Sequence, residues 1–278
     1  MTATRRHRWL FPAFIYAVLL VLLVVFLFPL LWVVGLSFKT RMQMFAAPPL
    51  FVWAPTLANY ASVLARPAFL RAFASSLLIS GGAVALSLLI GVPAAYAFAR
   101  FTFAGRSFLY FGLLVMRMLP PIAVLVPMFV LFHAAGLINT RTAVVLAYTT
   151  FSLPLVVWIM RGFFEELPRE LEESAWIDGA NRLSAFLRVV LPLTRPGLAA
   201  AAILCLLLAW NDFLFAAVLT NGDTRTLPVL MASYSGDTGI NWEDMTASAV
   251  LVVLPVLLFS FAAQRHLVTG LSSGSVKG

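Results

Sequence analysis

Apolar positions run through this chain in long, nearly unbroken stretches. Six stand out, at about Leu10–Ser37, Ala72–Phe98, Phe108–Phe132, Thr142–Phe163, Gly197–Leu219 and Ala247–Ala263. All but the last exceed the ~20 residues that a helix needs to cross a hydrocarbon layer, and the last is close to the lower limit. With no water in that layer, each crossing segment must satisfy its own backbone groups, so the runs are expected to be helices. The pattern predicts an all-α membrane protein with six transmembrane helices. The first run follows Arg5, Arg6 and Arg8, as a signal peptide would, yet its apolar stretch is longer than the roughly 7–15 residues of a signal core. It is expected to remain as a helix. The chain then divides into a tail (1–9), the first span (10–37), a long loop (38–71), a core (72–264) and a second tail (265–278).

Composition supports this division. Hydrophobic residues make up 62% and charged residues 11% of the sequence, against about 45–50% and about 25% in soluble domains. The net charge of +8 is unevenly placed. Arg5, Arg6, Arg8, Arg100, Arg106, Arg161, Arg169, Arg182, Arg188, Arg195, Arg265 and Lys277 fall on one side of the expected layer. Lys39, Arg41, Arg66, Arg71, Arg141 and Arg225 fall on the other. The positive-inside bias makes the richer side cytoplasmic and puts both termini there. The charges lie between apolar runs and form no basic block, so nucleic acid is not an expected partner, whereas membrane lipid is. Cys205 is the sole cysteine, and His7, His133 and His266 are far apart, so neither a disulfide framework nor metal-ligand spacing is present.

The connections differ in character. Phe38–Arg71 holds Pro48, Pro49 and Pro55 and then a short helical stretch near Asn59–Leu64. Thr220–Thr246 is rich in turn-forming Gly and Asp, and its part around Ser233–Trp242 is expected to be mobile. The segment Arg161–Arg195 is the most charged, and it contains nearly all of a loop at 164–196. Pro168 suits the first position of a helix, and Glu170, Glu172 and Glu173 suit its positive end. Asp178-Gly179 breaks that helix at a residue that tolerates positive φ. Leu183, Phe186, Leu187 and Val190 form an apolar stripe on a second helix, which Pro192 and Pro196 end. Two short helices at an angle would present a small rigid corner. Such a corner suits docking into a groove on a partner, and it equally suits a solvated amphipathic loop.

That loop is where a family resemblance appears. Glu173-Ser174-Ala175, Asp178-Gly179-Ala180 and then Val189, Leu191 and Pro192 resemble the EAA loop of ABC importer permeases, with Ser174 and Val189 in place of Ala and Ile. Arg117 to Pro121, Trp210 to Leu214, Thr226-Leu227-Pro228 and the end from Gly270 to Gly278 are similar to MalG-type permeases of carbohydrate importers. The resemblance implies a type-1 ABC importer permease fold with a cytoplasmic coupling helix, in a bacterial or archaeal inner membrane. It implies a second homologous permease subunit, an ATPase dimer that holds ATP and Mg, and an extracytoplasmic substrate-binding protein. Glu172, Glu173, Ala175, Asp178, Gly179, Ala180, Leu191, Pro192, Lys277 and Gly278 would couple the chain to the ATPase. The implied cargo is a sugar, oligosaccharide or polyol carried by alternating access, with a glycerophosphodiester as the alternative cargo and a passive channel as the alternative class.

Enzymatic readings find little support. A phosphate-cradling G-x-x-x-x-G-K-[ST] loop is absent: Lys39-Thr40 follows Phe38 where the second Gly must stand. There is no H-E-x-x-H, and Asp212 is the one acid expected inside a span. No cofactor is expected in this chain. Two polar places remain within the apolar runs. Arg117 precedes Pro120 and Pro121 in the third run; it is expected either to bond carbonyls freed there or to line a translocation path. Trp210, Asn211 and Asp212 in the fifth run are expected to stack and bond a sugar, to gate a path, or to pair with Arg117.

Overall fold

A computed structural model describes residues 4–236 and 239–273. In chain order its helices are α1 (Thr4–Ser37), α2 (Arg41–Met44), α3 (Ala58–Leu64), α4 (Pro67–Arg100), α5 (Arg106–Met118), α6 (Pro121–Ala134) and α7 (Arg141–Glu166). They continue as α8 (Glu170–Ile177), α9 (Arg182–Leu193), α10 (Arg195–Asn211), α11 (Leu214–Leu219), α12 (Leu227–Ala232) and α13 (Trp242–Ser273). A two-residue antiparallel pair, β1 (Ser235–Gly236) with β2 (Gly239–Ile240), precedes α13. The expected start of the chain shifts, since α1 begins at Thr4 within the predicted tail.

Four helices are each long and apolar enough to span: α1 from Phe14, α4, α7, and α13 to Phe261. Two more crossings arise if each bent pair counts as one, α5 with α6 at 102° and α9 with α10 at 75°. The expected third span is therefore a broken one. Leu119 is extended, at φ −65° and ψ 131°, as a residue before proline prefers, and neither Pro120 nor Pro121 can donate to the helix before it. The expected fifth span also breaks, at Asp212-Phe213 between α10 and α11.

The chain divides into two compact units. One holds residues 67–232 and 254–278. Within it α4 packs along α7, and α10 packs on both. Small residues let these backbones approach: Ala83, Ala95 and Ala99 on α4, Ala143 and Ala147 on α7, and Ala201 and Ala209 on α10 are all buried. Gly91 marks the tightest point on α4, where an added Cβ would lie 2.7 Å from Val156. Two apolar patches fill the unit. Tyr96, Val156, Met160, Phe164, Phe186 and Val190 belong to the first; Ile79, Val144, Tyr148, Phe215 and Leu219 belong to the second.

The other unit holds residues 1–66 and 233–253. The apolar stretch of α1 from Phe14 to Leu31 turns its side chains outward all round, as a lipid-facing helix does. Its end is pinned by polar contacts. Asn59 Nδ2 donates to the carbonyls of Ser37 and Lys39, at 2.9 and 2.8 Å. Lys39 is buried, donates to the Leu50 carbonyl at 2.7 Å, and lies 4.1 Å above the Trp53 ring. The start of α13 is fixed in the same way: Asp244 accepts from Asn241 and Ser62 and pairs with Arg66.

Candidate functional site

The α8–α9 corner owes its shape to a helix C-cap. Ala180 N–H reaches back to the Ala175 carbonyl at 2.9 Å, and Gly179 N–H reaches Trp176 at 3.0 Å. This pair of bonds is the Schellman arrangement, which needs a left-handed residue just past the helix end. Gly179 supplies it, at φ +89°. The spacing of Ala175, Gly179 and Ala180 thus encodes one turn. Asn181 Oδ1 then accepts from Ser184 N at 2.8 Å and starts α9. Two expectations change here. Helix α8 starts at Glu170 with Arg169 at its cap, so Pro168 precedes the helix and does not open it. The α9 stripe also splits into two rows: Phe186 and Val190 are buried, while Leu183 and Leu187 are exposed. A π-turn over Phe186–Val190 carries the buried row, with Leu191 N–H bonding to the Phe186 carbonyl. The inward row is the one that meets Tyr96 and Phe164, with ring centroids 4.6 and 6.1 Å from Phe186.

The top of the corner is exposed and mostly apolar. Ile177 is 86% and Leu183 65% exposed, and Trp176, Leu171 and Leu187 are also exposed. Glu173 and Asp178 are exposed, and Ala175 and Ala180 are half-buried. Glu172 corrects an expectation. It is buried, accepting from Tyr96 Oη and from Arg100 Nε at 2.5 Å, so it is unavailable for direct contact with a partner. Leu191 is half-buried against the core, and Pro192 sits in the last turn of α9.

A second polar place is a cavity of about 270 Å³ between the α5–α6 break, α7, α10 and α11. Arg117, Pro121, Tyr148, Ser152, Asp212 and Phe215 line it. Arg117 Nη1 donates to the Phe151 carbonyl of α7 at 3.4 Å, and not to a carbonyl near Pro120 and Pro121. Asp212 Oδ1 accepts from Phe215 N at 3.1 Å and so caps α11, and Tyr148 Oη donates to the Asp212 carbonyl at 3.3 Å. The chain resembles known proteins along nearly its whole length. Residues 87–273 match the family described as binding-protein-dependent transport system inner membrane component.

The chain belongs to this family.

Curated relatives of this permease include the sulfoquinovosyl glycerol transport system permease protein SmoH of Agrobacterium fabrum, 38% identical over 93% of this chain and 91% of that one. The trehalose transport system permease protein SugB of Mycobacterium tuberculosis is 36% identical over 91% and 93%. Among solved structures, a chain of a bacterial ABC transporter that imports the acidic polysaccharide alginate superposes with a TM-score of 0.82, at 22% identity, over 95% and 98% of the two chains. The type-1 importer permease fold expected from the sequence is shown for the permease, with four to six candidate spans among the described residues.

The expected Trp210–Asn211–Asp212 cluster comes apart in the permease. Trp210 is buried edge-on against Phe73, at 6.1 Å, and does not line the cavity. Asn211 is exposed and donates to the Leu207 carbonyl of its own helix, at 2.8 Å. Trp210 and Asn211 are consecutive on α10 and point about 100° apart, and Asp212 lies past the helix end in extended backbone, at φ −69° and ψ 128°. Asp212 alone of the three faces the cavity. Pro121 lines the cavity, and Pro120 sits at the break before it. Lys277 and Gly278, expected at the ATPase interface, lie outside the described residues, as do Asp237 and Thr238 of the expected mobile loop. Sequence reasoning missed the Tyr96–Arg100–Glu172 cluster. Nothing in the sequence singles out Glu172, since Glu165, Glu166 and Glu170 stand closer to the end of the fourth apolar run.

Proposed function

We propose that the permease is one subunit of an ATP-driven importer of sugars or oligosaccharides that works by alternating access. The α8–α9 corner docks into a separate ATPase dimer, which binds ATP and Mg. The corner and both termini face the cytoplasm, and the segments 38–71 and 220–246 face a substrate-binding protein outside. A second homologous permease completes the pathway. The observation that carries this reading is the corner itself: a rigid Gly179 turn that holds Trp176, Ile177 and Leu183 outward. A solvated loop has no reason to expose three large apolar side chains on a fixed turn. The distribution of Lys and Arg supports the orientation, and the carbohydrate names of the relatives support the cargo. Arg117 and Asp212, charged and facing one cavity, are assigned to the translocation path.

The test is reconstitution of the permease with its ATPase, second permease and binding protein, identified by copurification from membranes. Uptake of radiolabelled disaccharides into proteoliposomes is expected to need both ATP and the binding protein. Uptake that persists without ATP would point to a passive channel.

A further inference from the structure

Helix α8 is held in an unusual way. Among the described residues, the one buried side chain of α8 is Glu172. Its neighbours Leu171, Glu173, Trp176 and Ile177 are exposed. So the helix at the heart of the corner has no fully buried apolar side chain, and its half-buried Ala175 is a single methyl. Its anchor is a carboxylate that reaches the C-terminal end of α4, where Tyr96 Oη and Arg100 Nε both donate to it. The side chains of Arg100 and Glu172 are 8% and 4% exposed. Arg100 Nη2 also donates to the Leu167 carbonyl at 3.0 Å, in the link between α7 and α8. Tyr96 in turn packs on Phe164 of α7 and Phe186 of α9, with centroids 5.6 and 4.6 Å away. One residue pair on α4 therefore grips every element that shapes the corner.

An apolar anchor would have been simpler. Buried ion pairs are weak contributors to net stability, because desolvation offsets most of the attraction. What they add is direction: the pair is satisfied in one register and leaves a buried charge uncompensated in others. An apolar contact can slide; this one resists sliding. Helix α4 is also the long element along which α7 and α10 pack, so a displacement of its end reaches the rest of the unit.

We infer that Glu172, Arg100 and Tyr96 form a latch that makes α8 and the end of α4 move as one body, and that this latch carries motion between the docked corner and the spans. They are positioning residues; Glu173, next to Glu172, is left facing outward toward the partner. This inference rests on the coupling reading proposed above. Because the same link would carry motion in both directions, loss of the latch affects transport and the binding protein's stimulation of ATP hydrolysis together, while the exposed docking surface persists.

The test uses the full reconstituted complex with Arg100→Gln, Glu172→Gln and the swapped pair Arg100→Glu/Glu172→Arg. Glu172→Gln keeps the size and the Tyr96 acceptor, so it serves if Arg100→Gln does not accumulate. Copurification of the ATPase is expected to hold for the single variants. Transport and the stimulation ratio are both expected to drop by tenfold or more, with unstimulated hydrolysis within about twofold of wild type, and the swapped pair is expected to restore a substantial part of both. Unchanged stimulation in both single variants would overturn the latch, as would loss of ATPase copurification in Glu172→Gln, which would make the residue part of the docking surface. Failure of the unaltered permease to copurify an ATPase would overturn the coupling reading itself.

Discussion

Arg117 and Asp212 line the same cavity, yet each is satisfied by a different backbone group. Arg117 donates to the Phe151 carbonyl, and Asp212 caps α11 through Phe215 N. Among the described residues no ion pair joins them. Their opposite charges in an apolar layer suggested pairing; instead Arg117 bonds the α7 backbone at Phe151, and Asp212 bonds Phe215 N at the start of α11. Arg117→Leu is expected to cost about 0.5–1.5 kcal/mol and Asp212→Ala about 1 kcal/mol. The double mutant should show the sum within about 0.5 kcal/mol, by thermal unfolding in detergent. A coupling well above that would place the two in direct contact.

Gly179 sits at φ +89°, where a β-branched residue is strained. Nothing lies within 4 Å of its added Cβ, so the effect of substitution is conformational and not steric. Gly179→Val should cost about 1–3 kcal/mol locally, abolish the Schellman turn and lose both ATPase copurification and transport. Gly179→Asn, which tolerates this region better, should retain more of both. Equal behaviour of the two variants would count against a backbone cause.

The α4–α7 seam gives a contrast between two glycines on one helix. A Cβ at Gly91 would lie 2.7 Å from Val156, whereas one at Gly81 meets nothing within 4 Å. Gly91→Ala should lower stability by about 1–3 kcal/mol through overpacking. Gly81→Ala should be neutral or raise stability by up to about 1 kcal/mol. Melting temperatures in one detergent decide the matter.

How much of this was legible in the sequence varies with the kind of interaction. The apolar runs located the spans because lipid leaves the backbone no other choice. The Ala175–Gly179–Ala180 spacing located the corner because a Schellman turn fixes which residues come together. Glu172 and Glu173 were indistinguishable as letters: adjacent, equally acidic, both in the first turns of α8. Only the position of Arg100, seventy-two residues earlier, separates the buried one from the exposed one. Trp210 was misplaced for a related reason, since the helix that carries it ends at Asn211 and Asp212 lies beyond that end in extended backbone. The two breaks were half legible. Pro120 and Pro121 announced the first, whereas Asp212-Phe213 carried no such mark.

The unit of residues 1–66 and 233–253 offers its own test. Asp244 is buried and accepts from Arg66, Ser62 and Asn241 at the start of α13. Asp244→Ala removes the one acceptor that Arg66, Ser62 and Asn241 share, at about 0.5–1.5 kcal/mol. It should expose the segment around 233–253 to limited proteolysis, while fragments from residues 67–232 stay resistant. Unchanged cleavage at that segment would show that the cluster does not hold the start of α13.

The central claim is that the α8–α9 corner docks into the ATPase, and a photo-crosslinking amino acid tests it most directly. Placed at Ile177, on the exposed face of the corner, or at Val52, exposed in the other unit, it reports what each face touches. In membranes that hold the whole complex, Ile177 should crosslink to the ATPase subunit and Val52 should not. Crosslinks to the ATPase from Val52, or none from Ile177 in a complex that still hydrolyses ATP in response to the binding protein, would contradict the account.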